Sequence, residues 1–245
     1  MFKAVAFFSL AALVAAHPLQ LRATGQVITQ CTQPNTAALT FDDGPYVHMD
    51  QIVDMLDSNG AKGTFFLNGK NFDCIYSEGD VGRIQRTYQK GHQIASHTWS
   101  HAHLGSLSKD QVTTEFTLTQ TAIEKITGAQ VAMTRPPFGE FNEIVQQVAA
   151  EQGQALVNWD FDSGDSAGAS PDAMKSSYGG LVQQKPKTIL TLNHETYDTT
   201  IAMLPQAIAD LKGAGYKLVT VADCLGMQPY LKVGTAGARD SSWTC

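Results

Sequence analysis

The sequence reads Ala37-Ala38-Leu39-Thr40-Phe41-Asp42-Asp43-Gly44 at one point, a short apolar run that ends in two adjacent carboxylates. An apolar run of this length, followed by glycine and proline, is typical of a buried β-strand that ends in a turn. Two neighbouring carboxylates repel each other, and such a pair persists where one holds a cation and the other handles a proton. The stretch therefore predicts a strand that carries two acidic groups to a reaction site.

Short apolar runs alternate with helical patterns from Ala37 to Cys224, which is typical of a parallel sheet built from βα units. The runs predict strands at residues 38–41, 63–67, 93–96, 131–134, 155–160, 188–193 and 217–221. Helices are expected at residues 50–58, 80–90, 108–127, 142–152, 170–184 and 200–213. Ser108 and Gln111 have the spacing of a capping box, and Gly128 ends the same helix. We expect an α/β fold, a single domain in which about seven parallel strands form an open, distorted (β/α) barrel.

Polar side chains follow the predicted strands at the point where each strand ends. They are Asp42, Asp43, His97, Arg135, Asp162 or Asp165, and His194. The carboxyl ends of the strands share one rim in an α/β barrel, and active sites are built on that rim. The sequence therefore predicts that these residues meet in one site.

A second polar stretch, Ser96-His97-Thr98-Trp99-Ser100-His101, contains two histidines four residues apart. Residues at i and i+4 of one helical turn point the same way, so both imidazoles can converge on one metal ion, with Asp43 as the third ligand. Such a set leaves positions open for water and substrate. Mixed nitrogen and oxygen ligands suit Zn²⁺ best, and Co²⁺ or another divalent ion can substitute for it.

Two alternatives to this metal set follow from the residues alone. His103 competes as a ligand, because His101 and His103 would share a face if the segment were a strand. Two imidazoles and one carboxylate are also the ligands of non-haem iron oxygenases. An oxygenase would explain neither Asp42 nor His194.

Five motifs of the chain resemble, in order and spacing, those of the polysaccharide deacetylases, carbohydrate esterase family 4. They are Thr40–Gly44, Ser96–His101, Arg135–Phe138, Asp162–Asp165 and Leu192–His194. The resemblance covers residues 31–226 and is greatest to the secreted fungal chitin deacetylases. It implies Asp43, His97 and His101 as the metal ligands. The family usually has an aromatic residue after the second aspartate of its fourth motif, where this chain has Ser166.

The first and third motifs imply the groups that act on the attacking water. Asp42 is expected to be the general base, because a carboxylate within hydrogen-bonding reach can accept the proton of a water as that water attacks an acetamide carbonyl. Arg135, similar to the arginine of the family's third motif, would keep Asp42 ionised and oriented. Two prolines stiffen the loop after Arg135, and the backbone N–H of Phe138 is then the candidate donor to the oxyanion.

The departing amine needs a proton, which predicts an acid opposite the base. His194 lies at a separate strand end and histidine titrates in the right range, so we expect it to be the general acid. The resemblance implies that Asp165 raises its pKa, although Asp162 and Asp160 lie close enough in sequence to compete for that role. Leu192 and Trp159 are candidates to line the acetyl pocket, or else belong to the core.

Four cysteines predict two disulfides, for which three pairings exist. Cys31 and Cys224 flank the predicted barrel at its first and last strands, so we expect them to be joined. That leaves Cys74 to pair with Cys245, unless one of these two stays free.

Residues 1–16 have the pattern of a secretory signal peptide, in which Lys3 precedes an apolar stretch that ends in small residues. Residues 17–30 are a candidate pro-segment or N-terminal extension, residues 31–226 are the predicted deacetylase domain, and residues 227–245 are a loosely held C-terminal tail. The expected protein is secreted, extracellular and monomeric.

A formal net charge of −6 argues against partners that are nucleic acids or anionic membranes, since both bind basic surfaces. Together with the resemblance, the residues predict hydrolysis of the N-acetyl groups of chitin or chitooligosaccharides, with release of acetate. An acetylxylan esterase of the same family is the nearest alternative. A non-catalytic carbohydrate-binding protein would be expected to lack the base or the acid. A glycosidase is disfavoured because adjacent carboxylates cannot flank a sugar bond.

Overall fold

The computed structural model describes residues 25–245, which contain eleven β-strands and seven α-helices. The strands are β1 (Val27–Ile28), β2 (Thr36–Gly44), β3 (Gly63–Leu67), β4 (Gln93–Ser96), β5 (Ala129–Val131), β6 (Met133–Thr134), β7 (Ala155–Val157), β8 (Phe161–Asp162), β9 (Thr188–Leu192), β10 (Lys217–Leu218) and β11 (Tyr230–Val233). The helices are α1 (Met49–Ser58), α2 (Glu78–Gln89), α3 (Lys109–Thr127), α4 (Glu143–Glu151), α5 (Pro171–Gln184), α6 (Asp198–Gly213) and α7 (Val221–Leu225).

The main sheet has the order β1-β7-β6-β4-β3-β2-β9-β8, with β10 pairing with β2. Every pair in it is parallel. The sheet curls into an open half-barrel, and strand β2, which is buried along all nine residues, lies in its middle. The predicted α/β class, the open parallel barrel and the single domain are confirmed.

Each of the seven predicted strands and six predicted helices has a counterpart in the structure, and the differences lie in short elements. The strand predicted at 131–134 is divided between β5 and β6. The strand predicted at 217–221 stops at Leu218, and α7 begins at Val221. The capping box of Ser108 and Gln111 is present on α3, and Gly128 closes that helix in the left-handed conformation. Strands β1, β8 and β11 were not predicted.

The ends of the domain differ from the prediction. The predicted signal peptide lies outside the described residues. Val27 and Ile28, which the sequence placed in a candidate pro-segment or N-terminal extension, pair with β7, so the fold begins before residue 31. The C-terminal residues are held more firmly than the expected loose tail, because β11 pairs with β5 in an antiparallel ribbon and Trp243 is buried against the core.

Two disulfides join Cys31 to Cys224 and Cys74 to Cys245, and none of the described cysteines is free. The first disulfide ties the segment before β2 to α7. The second ties the C-terminal residue to the loop that follows β3. No helix in residues 25–245 is both long and apolar enough to cross a membrane.

Candidate active site

The predicted polar residues meet at the carboxyl ends of the strands. Asp42 and Asp43 end β2, His97 follows β4, Arg135 follows β6 and His194 lies two residues after β9. The site therefore occupies the rim that the βα pattern predicted.

A β-bulge at Asp43 brings both adjacent carboxylates into the site. Asp42 pairs with Phe66 and Gly44 with Leu67, so Asp43 is the extra residue that interrupts the register between β2 and β3. Its φ of 70° is in the left-handed region, which non-glycine residues rarely adopt. In a regular strand the two side chains would point to opposite faces. Here Oδ2 of Asp42 lies 3.8 Å and Oδ1 of Asp43 lies 3.6 Å from the same atom, Nε2 of His97.

Asp43, His97 and His101 form a cluster suited to a metal ion. One potential ligand atom from each residue lies within 4.8 Å of the other two. Oδ1 of Asp43 is 3.6 Å from Nε2 of His97 and 3.3 Å from Nε2 of His101. Two imidazole nitrogens and one carboxylate oxygen that converge on one position fit a divalent cation with open coordination positions.

The two histidines of the predicted pair lie together, but the helical turn expected to align them is absent. Residues 97–103 form no helix, and Thr98 and His101 have φ values of 69° and 56°. These left-handed residues turn the chain back, so that the ring of His101 lies with its centroid 4.9 Å from that of His97. His103, the competing candidate, lies outside the cluster. Its Nδ1 contacts Oε2 of Glu140 at 2.9 Å, and its ring stacks on Phe138.

The atoms around His97 keep one ring nitrogen available for a metal ion. Its Nδ1 lies 2.7 Å from the carbonyl oxygen of Arg135, which can only accept a hydrogen bond, so Nδ1 carries the proton and Nε2 faces the cluster. Burial lowers the pKa of His97 to about 3, so the ring is neutral near pH 7. Asn71, which the sequence did not single out, donates to Oδ1 of Asp43 at 3.3 Å.

Asp42 and Arg135 form an ion pair inside the barrel. Asp42 is 1% exposed and Arg135 is 0% exposed. Nη1 of Arg135 donates to Oδ1 of Asp42 at 2.8 Å, and the guanidinium also donates to the carbonyl oxygens of Val157 and Asn158. Burial raises the pKa of Asp42 above its ordinary value, and the charge of Arg135 opposes that shift. Arg135 thus fixes one oxygen of Asp42 and leaves the other directed towards His97.

His194 is paired with Asp165, as the resemblance implied. Nδ1 of His194 lies 2.8 Å from Oδ1 of Asp165, and the backbone N–H of His194 donates to Oδ2. Thr200, which the sequence did not single out, also donates to Oδ2 at 2.7 Å. Burial alone would lower the pKa of His194, but the hydrogen bond and charge of Asp165 outweigh it and raise the pKa to about 9.

The two competing aspartates serve elsewhere. Oδ1 of Asp162 accepts the N–H of Gly164 in a local turn. Oδ1 of Asp160 accepts the N–H of Leu190 and so ties the chain to β9. Neither side chain pairs with His194.

The remaining predicted residues surround this centre. Phe138 has a φ of 59°, and its backbone N–H donates to no acceptor in residues 25–245. Its ring contacts the edge of His101. Leu192 is buried, the ring of Trp159 lies 5.6 Å from the guanidinium carbon of Arg135, and Ser166 is exposed. Tyr197, not predicted, places its ring 5.7 Å from that of His194.

Glu195 is the buried acid that sequence reasoning missed. It is 0% exposed, and burial raises its pKa well above the ordinary value of a glutamate. Oε1 accepts the N–H of Tyr46 at 2.6 Å, and Oε2 has no partner among the described residues. The signal available in the sequence was its position directly after His194.

Comparison with known proteins identifies the family. A family model described as polysaccharide deacetylase matches residues 29–157. The chain is 37% identical over 228 residues to a chitin deacetylase from Pestalotiopsis sp, an alignment that covers 89% of this chain and 74% of the relative. It is 36% identical to a probable peptidoglycan-N-acetylglucosamine deacetylase from Arthroderma benhamiae, across 82% of this chain but only 46% of that longer relative.

A solved structure has the same fold. The chitin deacetylase from the fungal pathogen Colletotrichum lindemuthianum superposes with a TM-score of 0.80 at 29% identity, over 84% of this chain and 94% of that chain. The family match, the relatives above 30% identity and this fold agree with the geometry of the site. The chain therefore belongs to the polysaccharide deacetylase family.

Proposed function

We propose that this protein is a secreted, zinc-dependent deacetylase that hydrolyses the N-acetyl groups of chitin or chitooligosaccharides. The observation that carries the proposal is the presence of two separately supported proton-transfer groups beside one cluster of metal-binding side chains. Arg135 supports Asp42 on one side, and Asp165 supports His194 on the other. The fungal relatives named chitin deacetylases support chitin as the substrate.

The proposed ligands of the cation are Asp43, His97 and His101. When bound there, a divalent cation supplies Lewis-acid polarisation of the acetyl carbonyl and lowers the pKa of a bound water. Mixed nitrogen and oxygen donors suit Zn²⁺, with Co²⁺ as a substitute.

The protein's own groups account for the proton movements of amide hydrolysis. Asp42 accepts a proton from the attacking water as the new C–O bond forms, and the backbone N–H of Phe138 donates to the carbonyl oxygen as its negative charge grows. His194, protonated near pH 7 because its pKa is about 9, donates a proton to the nitrogen as the C–N bond breaks. The products are acetate and a glucosamine unit. Leu192 and Trp159 are proposed to contact the acetyl group.

Soluble chitin oligomers are expected to be better substrates than acetylxylan. We expect kcat/KM for deacetylation of a chitin pentamer to exceed that for acetylxylan by at least ~10-fold, because the site provides the protonated acid that an amine leaving group requires and because the relatives of this chain are named chitin deacetylases. Rates of acetate release from each substrate give the two kcat/KM values, and the same assay with a chelator tests the dependence on metal. Mass spectrometry of the oligomers identifies the product. A higher kcat/KM on acetylxylan than on the pentamer would favour the acetylxylan esterase. The observation that favours this alternative is exposed Ser166, which stands where the family usually has an aromatic residue.

His194→Ala separates the acid from the rest of the site. This change should slow deacetylation of the oligomer by ~100-fold or more, and slow hydrolysis of an activated aryl acetate far less, since a phenolate leaves without a proton. Each substrate serves as the control for the other in steady-state assays of the same preparation. Equal losses on both substrates would assign His194 a supporting role and point to a different acid.

A further inference from the structure

Glu195 contacts the β-bulge from both sides of Asp43. Its backbone N–H donates to the carbonyl oxygen of Asp42 at 3.2 Å, and its Oε1 accepts the N–H of Tyr46 at 2.6 Å. The same residue therefore holds the chain one residue before and three residues after the carboxylate that belongs to the metal-binding cluster.

Gly44 shows how closely the bulge packs against the carboxyl group of Glu195. A Cβ atom placed on Gly44 would lie 2.2 Å from Oε1 of Glu195, far inside contact distance. The φ of Gly44 lies outside the left-handed region, so close approach to the Glu195 side chain, rather than backbone conformation, favours glycine here. The strained residue is its neighbour Asp43, whose left-handed backbone persists only where the surroundings fix it.

Stability does not explain a carboxyl group at this position. Glu195 is 0% exposed and its Oε2 makes no hydrogen bond to the described residues. A buried polar atom without a partner is destabilising, and an apolar side chain of similar volume would avoid that penalty. What an apolar side chain would not supply is the acceptor for the N–H of Tyr46.

We propose that Glu195 is a positioning residue of the metal centre, which holds the bulge so that the carboxylate of Asp43 stays in place relative to His97 and His101. The inference rests on the metal site of the proposed function. Groups that orient metal ligands from outside the coordination sphere typically change metal affinity by ~10- to 100-fold when removed. Glu195 acts on the backbone that carries the ligand, so its loss should fall in that range.

Two variants test this role against a merely structural one. Glu195→Leu fills a similar volume and removes the acceptor oxygen, whereas Glu195→Gln keeps an oxygen that can accept the N–H of Tyr46. Zinc affinity is measured by competition with a chromophoric chelator, and thermal unfolding is measured on the chelated proteins. Gln154→Leu is the matched control, because Gln154 is also 0% exposed but bonds to Thr134 and Gln120 rather than to the bulge.

We expect Glu195→Leu to lower the unfolding temperature no more than Gln154→Leu does, yet to bind zinc ~10- to 100-fold more weakly than the wild type, and Glu195→Gln to bind zinc within ~3-fold of the wild type. The control should unfold at a lower temperature with unchanged zinc affinity. Equal zinc affinity in the wild type and Glu195→Leu would overturn the inference. If Glu195→Leu does not fold, Glu195→Asp replaces it, because the shorter aspartate cannot reach the N–H of Tyr46. Equal zinc affinity in the wild type and Glu195→Asp would then overturn the inference. Absence of zinc binding in the wild type would instead overturn the proposed function.

Discussion

We expect removal of the metal to abolish acetate release, and zinc or cobalt to restore it, if Asp43, His97 and His101 hold the metal ion. His97→Ala removes one of the three converging donors and should lower the metal content. It should also lower turnover by ~100-fold or more, since the proposed chemistry depends on a polarised carbonyl and an activated water. Elemental analysis of the purified protein and assays of acetate release on a chitin pentamer measure the two effects.

His103→Ala is the matched control for this prediction. His103 lies two residues beyond His101 but pairs with Glu140, so its removal should leave the metal content unchanged. Full turnover in protein shown by elemental analysis to be metal-free would contradict the mechanism. Loss of metal in His103→Ala and not in His97→Ala would show that the ligands are wrongly chosen.

Asp42→Asn and Asp43→Asn should have different consequences although the residues are adjacent. Asp42→Asn should retain the metal and lose at least ~100-fold in turnover, the lower end of what a general base contributes. Asp43→Asn should weaken the binding of the ion itself. Metal affinity and single-turnover rates at saturating zinc distinguish the two losses.

Asp42→Asn has a further expected effect on stability. The change leaves the fully buried guanidinium of Arg135 without its ionic partner, and breaking one side of a buried pair destabilises a protein by about 3 kcal/mol. Chemical denaturation should therefore show a lower free energy of unfolding for this variant. Equal loss of metal in both asparagine variants would show that the roles of the two aspartates are not divided in this way.

Hydrophobic pattern predicted most of the fold. Seven strands could be located because each is an apolar run between turn residues, and α3 could be delimited because Ser108 and Gly128 mark its ends chemically. Strand β8 was missed because Phe161 and Asp162 form a strand only by pairing with β9, and two residues show no periodicity. Strand β11 was missed for a related reason, since its partner β5 is about a hundred residues away.

Site residues could be predicted where their spacing within one segment indicates a shared ligand. They could not be predicted where the interacting residue comes from a distant segment that only the fold brings close. His97 and His101 were found by their separation, although left-handed backbone at Thr98 and His101, not a helix, unites them. No local pattern distinguishes Asp165 from Asp160 and Asp162, because the choice depends on where β9 places His194. Thr200 and Asn71 have no motif and reach the site from separate elements.

The disulfides give the domain a particular covalent topology. Cys31–Cys224 and Cys74–Cys245 enclose overlapping segments of the chain, which together run from residue 31 to residue 245. A single peptide-bond cleavage anywhere in that interval falls inside at least one of the two loops. The fragments on either side of the nick then stay linked, so a protease that cuts once between residues 31 and 245 releases no piece of that interval. Separation of the two pieces requires a reductant as well as the protease.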